Sequence, residues 1–483
     1  MKNKFKILSV LVIPVLLSNV FAQNVLTLES YLKNVNSGNP SLKAANMSIE
    51  SAGNKVLEMD MVYSPFVSAN YTWMDDKSGS GFGSSLDTKQ MLLNSWTLGI
   101  NKKWYTGSTL SFGYTNSDSD IKLNSPFSFG PYSLTNFKAT DIKPFLRLEQ
   151  SLLRDFMSRQ TNASINKSKA QARSGQYMLL YSVQQGIFKA RMTYMSLSLS
   201  REIINFRKEE LARAEEILKW NENRVKLDLA DKGDYLQAQA LHKMRELNLQ
   251  IAVEDEKSAC RDFNEMLGKP GDVVGETVQP LSDLITCCEN ISELKFSGDR
   301  ADVLSAKASF ESAEFAKVET LYRSYPEITA SGMMSLHGLA FSQSDAFTQI
   351  TDADKPTYTL GLNLIVPLDV STLKKVRKGY DVDYEASKEN LNKAKISADK
   401  DWNKLSQTWQ NVKDRLALAQ DIKKIQTDRL ENERTKFSRG RTTMFSLMSA
   451  ENDLDDATIN VFRLMLEELS IQAQVEFYNT KPF

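Results

Sequence analysis

Cysteine, histidine, proline and net charge are all scarce in this chain, and each scarcity removes a class of function. Three cysteines, Cys260, Cys287 and Cys288, in 483 residues are too few for a disulfide-dense scaffold. A bridge from Cys260 to either of the adjacent pair stays open, but two cysteines with no histidine nearby make a poor zinc site, so a structural role is expected. The two histidines, His242 and His337, are far apart, and neither a Gly-rich phosphate loop nor a nucleophile elbow accompanies them. The expectation is no enzyme, no cofactor and no metal. Lys+Arg and Asp+Glu are 60 each, so no net field draws the chain to nucleic acid.

Long apolar runs are missing too, with one short exception. Lys2, Lys4 and Lys6 precede an apolar run from Ile7 to Leu17, and Val20-Phe21-Ala22 supplies small residues for cleavage. This reads as a secretory signal peptide over residues 1–22, cut before Gln23. The run is too short to cross ~30 Å of hydrocarbon, and no cysteine follows it to take a lipid.

Proline is absent between Pro144 and Pro270 and again between Pro367 and Pro482. Proline breaks helix interiors, so these are where long helices fit. Val183, Ile187, Ala190, Tyr194, Leu197, Ile204, Leu211, Ala214 and Leu218 follow heptad steps in the first stretch. Trp402, Leu405, Trp409, Val412, Leu416 and Ala419 follow them in the second. The spacing predicts two helices, from about Phe156 to Leu227 and from about Leu373 to Arg439, each roughly 100 Å long. Gly175, Gly186 and Gly379 are the candidate breaks, without a turn dipeptide to support them.

What the chain has in abundance is itself, twice. Residues 39–74 realign on 300–335, with identities at Ala45/Ala306, Ser48/Ser309, Glu50/Glu311, Glu58/Glu319 and Pro65/Pro326. Residues 224–239 realign on 436–451. Alternating apolar residues mark strands at Val67–Trp73, Trp96–Ile100, Leu110–Tyr114, Leu146–Leu152 and Tyr358–Val366. One apolar and one polar face over about ten residues suits a membrane barrel strand. So few strands cannot close alone, so closure implies oligomerisation. Trp73, Trp96, Trp104 and Tyr105 suit either an interfacial girdle or ordinary sheet packing.

The chain resembles the TolC-like outer-membrane efflux proteins. The resemblance is carried by the repeat, by LTLESYLKNVNSGNPSLKAA from Leu26, by LRLEQSLLR (146–154) and by FSRGRTTMFSLMSAENDL (437–454), and it covers essentially all of the mature chain. It implies an α+β membrane protein: a homotrimer whose transmembrane β-barrel is continued by a long periplasmic α-helical barrel. Such proteins are passive outer-membrane exit ducts of tripartite efflux pumps or type I secretion systems, docked to a periplasmic adaptor and an inner-membrane pump. The implied division is 23–64, periplasmic helix; 65–154, strands and extracellular loops; 155–267, long helix, tip turn and return helix; 268–299, equatorial linker; 300–325, second-half helix; 326–368, strands; 369–483, second long helix, tip and return. The alternative is a non-transporting structural or adhesive coiled-coil protein of the envelope.

The family's tips often carry a Gly followed six residues later by Asp, and both copies depart from that. The first has Asp228 and Asp234 there, with Asp231 between. The second keeps Gly440 but has Ser446, with Ser449 three residues on. Opposed Asp228, Asp231, Asp234 and Arg439, Arg441 are expected to gate the periplasmic end, or else to be solvated turns. Leu229, Ala230, Phe445 and Leu447 are expected to dock the adaptor, or else to pack on the trimer's own helices. The hairpin at 91–118 exceeds the family's two strands per half. It either enlarges a twelve-stranded barrel or extends outside, with 119–139 as an outward loop.

Overall fold

The computed structural model describes residues 25–78, 88–129, 132–228, 231–288, 300–352, 356–475 and 478; the signal-peptide segment lies outside them. In chain order the elements are β1 (Val25–Leu26), α1 (Leu28–Gly38), α2 (Pro40–Lys55), β2 (Phe66–Asp76), β3 (Thr88–Lys103), β4 (Ser108–Phe129), β5 (Tyr132–Ser151), α3 (Arg159–Lys226), α4 (Lys232–Met266), β6 (Thr277–Val278), α5 (Leu281–Cys288), α6 (Ala301–Arg323), β7 (Glu327–Leu336), β8 (Gly338–Ala340), α7 (Gln343–Asp352), β9 (Pro356–Ile365), α8 (Val370–Ser438) and α9 (Met444–Val475).

Local chemistry sets the boundaries. Thr27 Oγ1 accepts the Ser30 N–H and starts α1. Asn39 ends it, and its Oδ1 accepts the Ser41 and Leu42 N–H groups to start α2, whose first residue, Pro40, has no N–H to lose. The single helix expected over 23–64 is therefore two, followed by a 3-10 stretch from Val56 to Tyr63. Each proline-free stretch holds an uninterrupted helix, α3 of 68 residues and α8 of 69. A Cβ at Gly175 or Gly379 would meet nothing within 4 Å. At Gly186 it would come within 2.5 Å of Leu42 Cδ2, so this glycine permits close packing of helices rather than breaking one.

The duplication is kept to the residue. α2 and α6 begin 261 positions apart, as do β2 and β7; α3 and α8 end 212 apart, and α4 and α9 begin 212 apart. Among the described residues the halves differ in two insertions: β3 and β4 occur only in the first, β8 and α7 only in the second.

The chain forms two compact units. One comprises residues 1–44, 183–296 and 402–479 and is helical. Its core holds Tyr31 stacked on Phe263 at 4.3 Å, a cluster of Leu405, Trp409, Val412, Ile471 and Val475, and another at the helix turns. In the 268–299 segment β6 pairs in parallel with β1. There α5 is tied to α3 by Glu202, whose carboxylate accepts the Leu281 N–H at 2.7 Å.

The other unit, residues 45–182, 297–401 and 480–483, carries the sheet, in the order β2-β3-β4-β5-β7-β9 with β8 extending β7's pairing on β5. All neighbours on this path are antiparallel. The hairpin β3–β4 lies inside the sheet, between β2 and β5. Residues 119–139 are not a loop: Ser119 pairs with Ala139 and Ile121 with Phe137, and pairing runs on past an irregularity to Phe129 and Tyr132. Serine and asparagine on these strands masked the alternation. Helix α7 was not expected either. It lies against β8, where a Cβ on Gly338 would fall 1.9 Å from the Ala346 carbonyl oxygen.

Candidate functional site: a two-faced sheet and paired helix turns

The register puts one kind of side chain on each face of the sheet. Val67, Ile100, Phe112, Leu146, Met334 and Tyr358 are successive partners across all six strands, and all are large exposed hydrophobics. Leu110, Leu148 and Leu360 occupy the neighbouring row, with Leu360 89% exposed. An apolar band this broad is too costly to leave in water. Trp73, Trp104 and Tyr105 are also exposed, while Trp96 rests on Tyr114 with centroids 5.2 Å apart.

The opposite face is rich in hydroxyls. Ser95 and Ser117 hydrogen-bond at 2.8 Å and Thr97 and Thr115 at 3.0 Å. Its charges pair with each other: Lys103 with Asp155 at 2.7 Å, Lys143 with Asp141 at 2.6 Å, and Arg147 with Glu149 at 2.5 Å. His337 is 3.6 Å from Asp141.

In the helical unit the two turns share one backbone form. Gly440, at φ +71°, closes α8: its N–H reaches the Phe437 carbonyl and that of Arg441 the Lys436 carbonyl, both at 2.9 Å, a Schellman ending. Asp228 holds the same position after α3 at φ +54°, its N–H on Val225. Asp231 caps α4 through Gly233, and Thr443 Oγ1 accepts the Ser446 N–H at the start of α9. Behind the turns Ala214, Ile217, Ala238, Leu241, Leu430, Phe437, Met444, Leu447 and Ala450 form one core.

Next to that core is a buried ionic network. Arg207 Nη1 contacts Glu210 at 2.7 Å and Asp455 at 2.5 Å. Arg245, 3% exposed, reaches Asp455 at 2.9 Å, Glu210 at 3.3 Å and Asn452 at 2.9 Å. Buried Glu451 receives Arg434 at 2.9 Å and Arg213 at 3.3 Å. Burial, its largest influence, pushes the Glu210 carboxyl above the ordinary glutamate range, against the pull of its arginines.

Residues 297–477 match the model of the outer membrane efflux protein family. The match lies within the second half of the chain. Solved structures carry the likeness to the first half as well. CusC superposes with a TM-score of 0.68 at 11% identity, over 93% of this chain and 91% of that one. VceC of Vibrio cholerae gives 0.68 at 14%, over 93% and 95%. The outer-membrane channel OprN gives 0.65 at 13%, over 93% and 89%. At such identities these establish the fold alone. No curated protein sequence matches the chain. The apolar face of the sheet is suited to lipid.

The expected tip residues fall in two groups. Asp228, Asp231, Arg439, Gly440 and Arg441 are exposed, and Asp234, Ser446 and Ser449 half-buried, on the two turns. Among the described residues no ion pair joins the aspartates to Arg439 or Arg441 within one chain. Leu229 and Ala230 lie outside the described residues. Of the docking set, Phe445 is 73% exposed, but Leu447 is 1% exposed in the turn core. Leu447 therefore has no surface to offer a partner, which corrects that expectation. Cys260 is buried and free, and burial raises its thiol.

The ionic network was missed. Its signal was a heptad interrupted by charge. Leu447, Glu451, Leu454, Thr458, Val461, Met465, Glu468 and Gln472 alternate steps of four and three, and Arg245 continues Ala238 and Leu241. Charged residues at such positions are buried when the stripe is buried.

Proposed function

We propose that this chain is an outer membrane efflux protein, one third of a passive trimeric exit duct in the outer membrane, gated at the periplasmic helix turns. It takes its cargo from an inner-membrane pump through a periplasmic adaptor, in a tripartite efflux pump or a type I secretion system. The sheet carries this reading. β2 and β9 have no outer partner among the described residues, and bilayer hydrocarbon leaves an unpaired edge unsatisfied at several kcal/mol per group. The edges have 11 and 10 residues and run antiparallel, so the β2 of one copy fits the β9 of the next. Three copies then enclose a hydroxyl-lined lumen behind an apolar exterior. A passive coiled-coil fibre has no use for such a sheet.

At the turns, the exposed Asp228 and Asp231 and the half-buried Asp234 face Arg439 and Arg441 only across neighbouring helix pairs in such a ring, where they hold the entrance closed. The exposed Phe445 is the adaptor's contact. Heat-modifiable trimer bands from the outer-membrane fraction test the assembly. A monomer that migrates alike before and after heating, or a product in the soluble fraction, overturns it.

A further inference from the structure

The added hairpin lies within the sheet. β3 pairs with β2 over 11 residues, from Phe66↔Asn101 to Asp76↔Met91. β4 continues in register from Lys103↔Thr109 to Thr88↔Leu123, with one irregularity near Thr88. The turn between them is fastened to the chain entering α3. The Met157 N–H donates to the Thr106 carbonyl at 3.1 Å, Ser158 Oγ donates to that of Trp104 at 3.1 Å, and Lys103 Nζ reaches both Asp155 and Thr161 at 2.7 Å. A Cβ on Gly107 would fall 2.3 Å from the Asp155 carbonyl oxygen, so the turn seats tightly there. The hairpin also keeps the two-faced pattern, with Ile100 and Phe112 in the apolar row and Thr97 and Thr115 among the hydroxyls. An extracellular extension would need none of these features.

The geometry points to an eighteen-stranded outer-membrane barrel, six strands from each of three chains, whose lumen passes hydrated polar solutes up to about 25 Å across, sorted by size and not by charge. This rests on the trimeric duct proposed above. With strands ~4.8 Å apart and tilted ~40°, eighteen give a backbone ring about 36 Å across and twelve about 24 Å. Removing ~5 Å of side chain from each wall leaves roughly 25 Å against 14 Å. That difference separates a duct for compact small molecules from one that admits bulky hydrated polymers. Charge selection is weak because Lys103, Lys143 and Arg147 on this face are each neutralised by a neighbouring carboxylate, while hydroxyls line much of the rest.

Two measurements on the purified full-length protein test the proposal, after its native mass has been determined. A mass other than three chains rejects the trimer, and with it the reading on which this one rests. For a trimer, electron cryomicroscopy sections through the apolar band are expected to show eighteen strands; twelve, with β3 and β4 outside the ring, overturns the inference. In liposomes, Thr115→Cys in a background with the native cysteines changed to serine is treated with uncharged maleimide polymers added from the extracellular side. A polymer of about 20 Å diameter is expected to label it at a rate within about tenfold of a small maleimide. Exclusion of that polymer, with the small reagent still reacting, refutes the size claim even if the ring has eighteen strands.

Discussion

Arg245→Met tests whether the buried network behind the helix turns is sealed from water. Arg245 is 3% exposed, and Arg207, Glu210 and Asp455 share its contacts. The four charges sum to zero, and removing one cation leaves a carboxylate without compensation. Breaking a buried pair in this way costs about 3–5 kcal/mol. Methionine keeps most of the volume, so little of the loss comes from a cavity. Glu210 offers an escape, because its carboxyl already holds its proton more tightly than an ordinary glutamate. Proton uptake there limits the damage, and the loss shrinks towards acid. The expected result is therefore about 3 kcal/mol at pH 8, falling well below that at pH 5. For a unit of this size that is roughly 6–12 °C in melting temperature. Thermal loss of helical circular dichroism on the detergent-solubilised protein reads it, at one scan rate because unfolding of such assemblies is commonly irreversible. The double variant Arg245→Met/Glu210→Gln restores neutrality and should recover about half the loss. A single variant within ~0.5 kcal/mol of the parent at pH 8 would mean that water reaches the network, and the reasoning fails.

Glu202 and Glu210 are both held above the ordinary glutamate range, with burial the first cause in each. A carboxyl raised in the folded state adds stability that is complete below its unfolded pKa and is lost as pH rises through the folded one. Melting temperature should thus fall as pH is raised above about 4.3, and Glu202→Gln with Glu210→Gln should flatten the slope; an unchanged slope assigns it to other groups. At the turns, Gly440→Ala places a Cβ on a left-handed residue and should cost about 1–2 kcal/mol, whereas Asp228→Gly at the matching position should be neutral or stabilising. Urea midpoints decide this, and equal losses from both refute the equivalence of the two turns. Finally, Arg439→Ala with Arg441→Ala should raise closed-state conductance in planar bilayers; no change leaves these turns without a gating role.

Much of this fold was legible because its signals are local. Two proline gaps and their heptads located α3 and α8, and the offsets of the repeat match the starts of α2 and α6, of β2 and β7, and of α4 and α9. Asp228 aligns with Gly440 in the repeat, and both are left-handed in the structure. The long β4–β5 pairing was hidden because Ser117, Ser119 and Asn116 carry little strand propensity, and only cross-strand partners such as Ala139 and Ile142 hold them. Pro40 divided a helix whose periodicity continues on both sides. Leu447 was read as surface because a short turn gives no clue to which apolar residue points inward, and two of the three other helices that bury it, α3 and α4, are distant in sequence. The Arg245 network escaped for the same reason, since its partners come from α3 and α9.

The parity of the sheet bears on how such a duct diversifies. A single added strand would leave the chain on the wrong side of the membrane for the next helix, whereas a hairpin returns it to where it started. The β3–β4 hairpin between β2 and β5 therefore leaves the direction of the chain at β5 as it would be without it. In the proposed duct, the bore of the barrel would thus be set apart from the repeat that the two halves share.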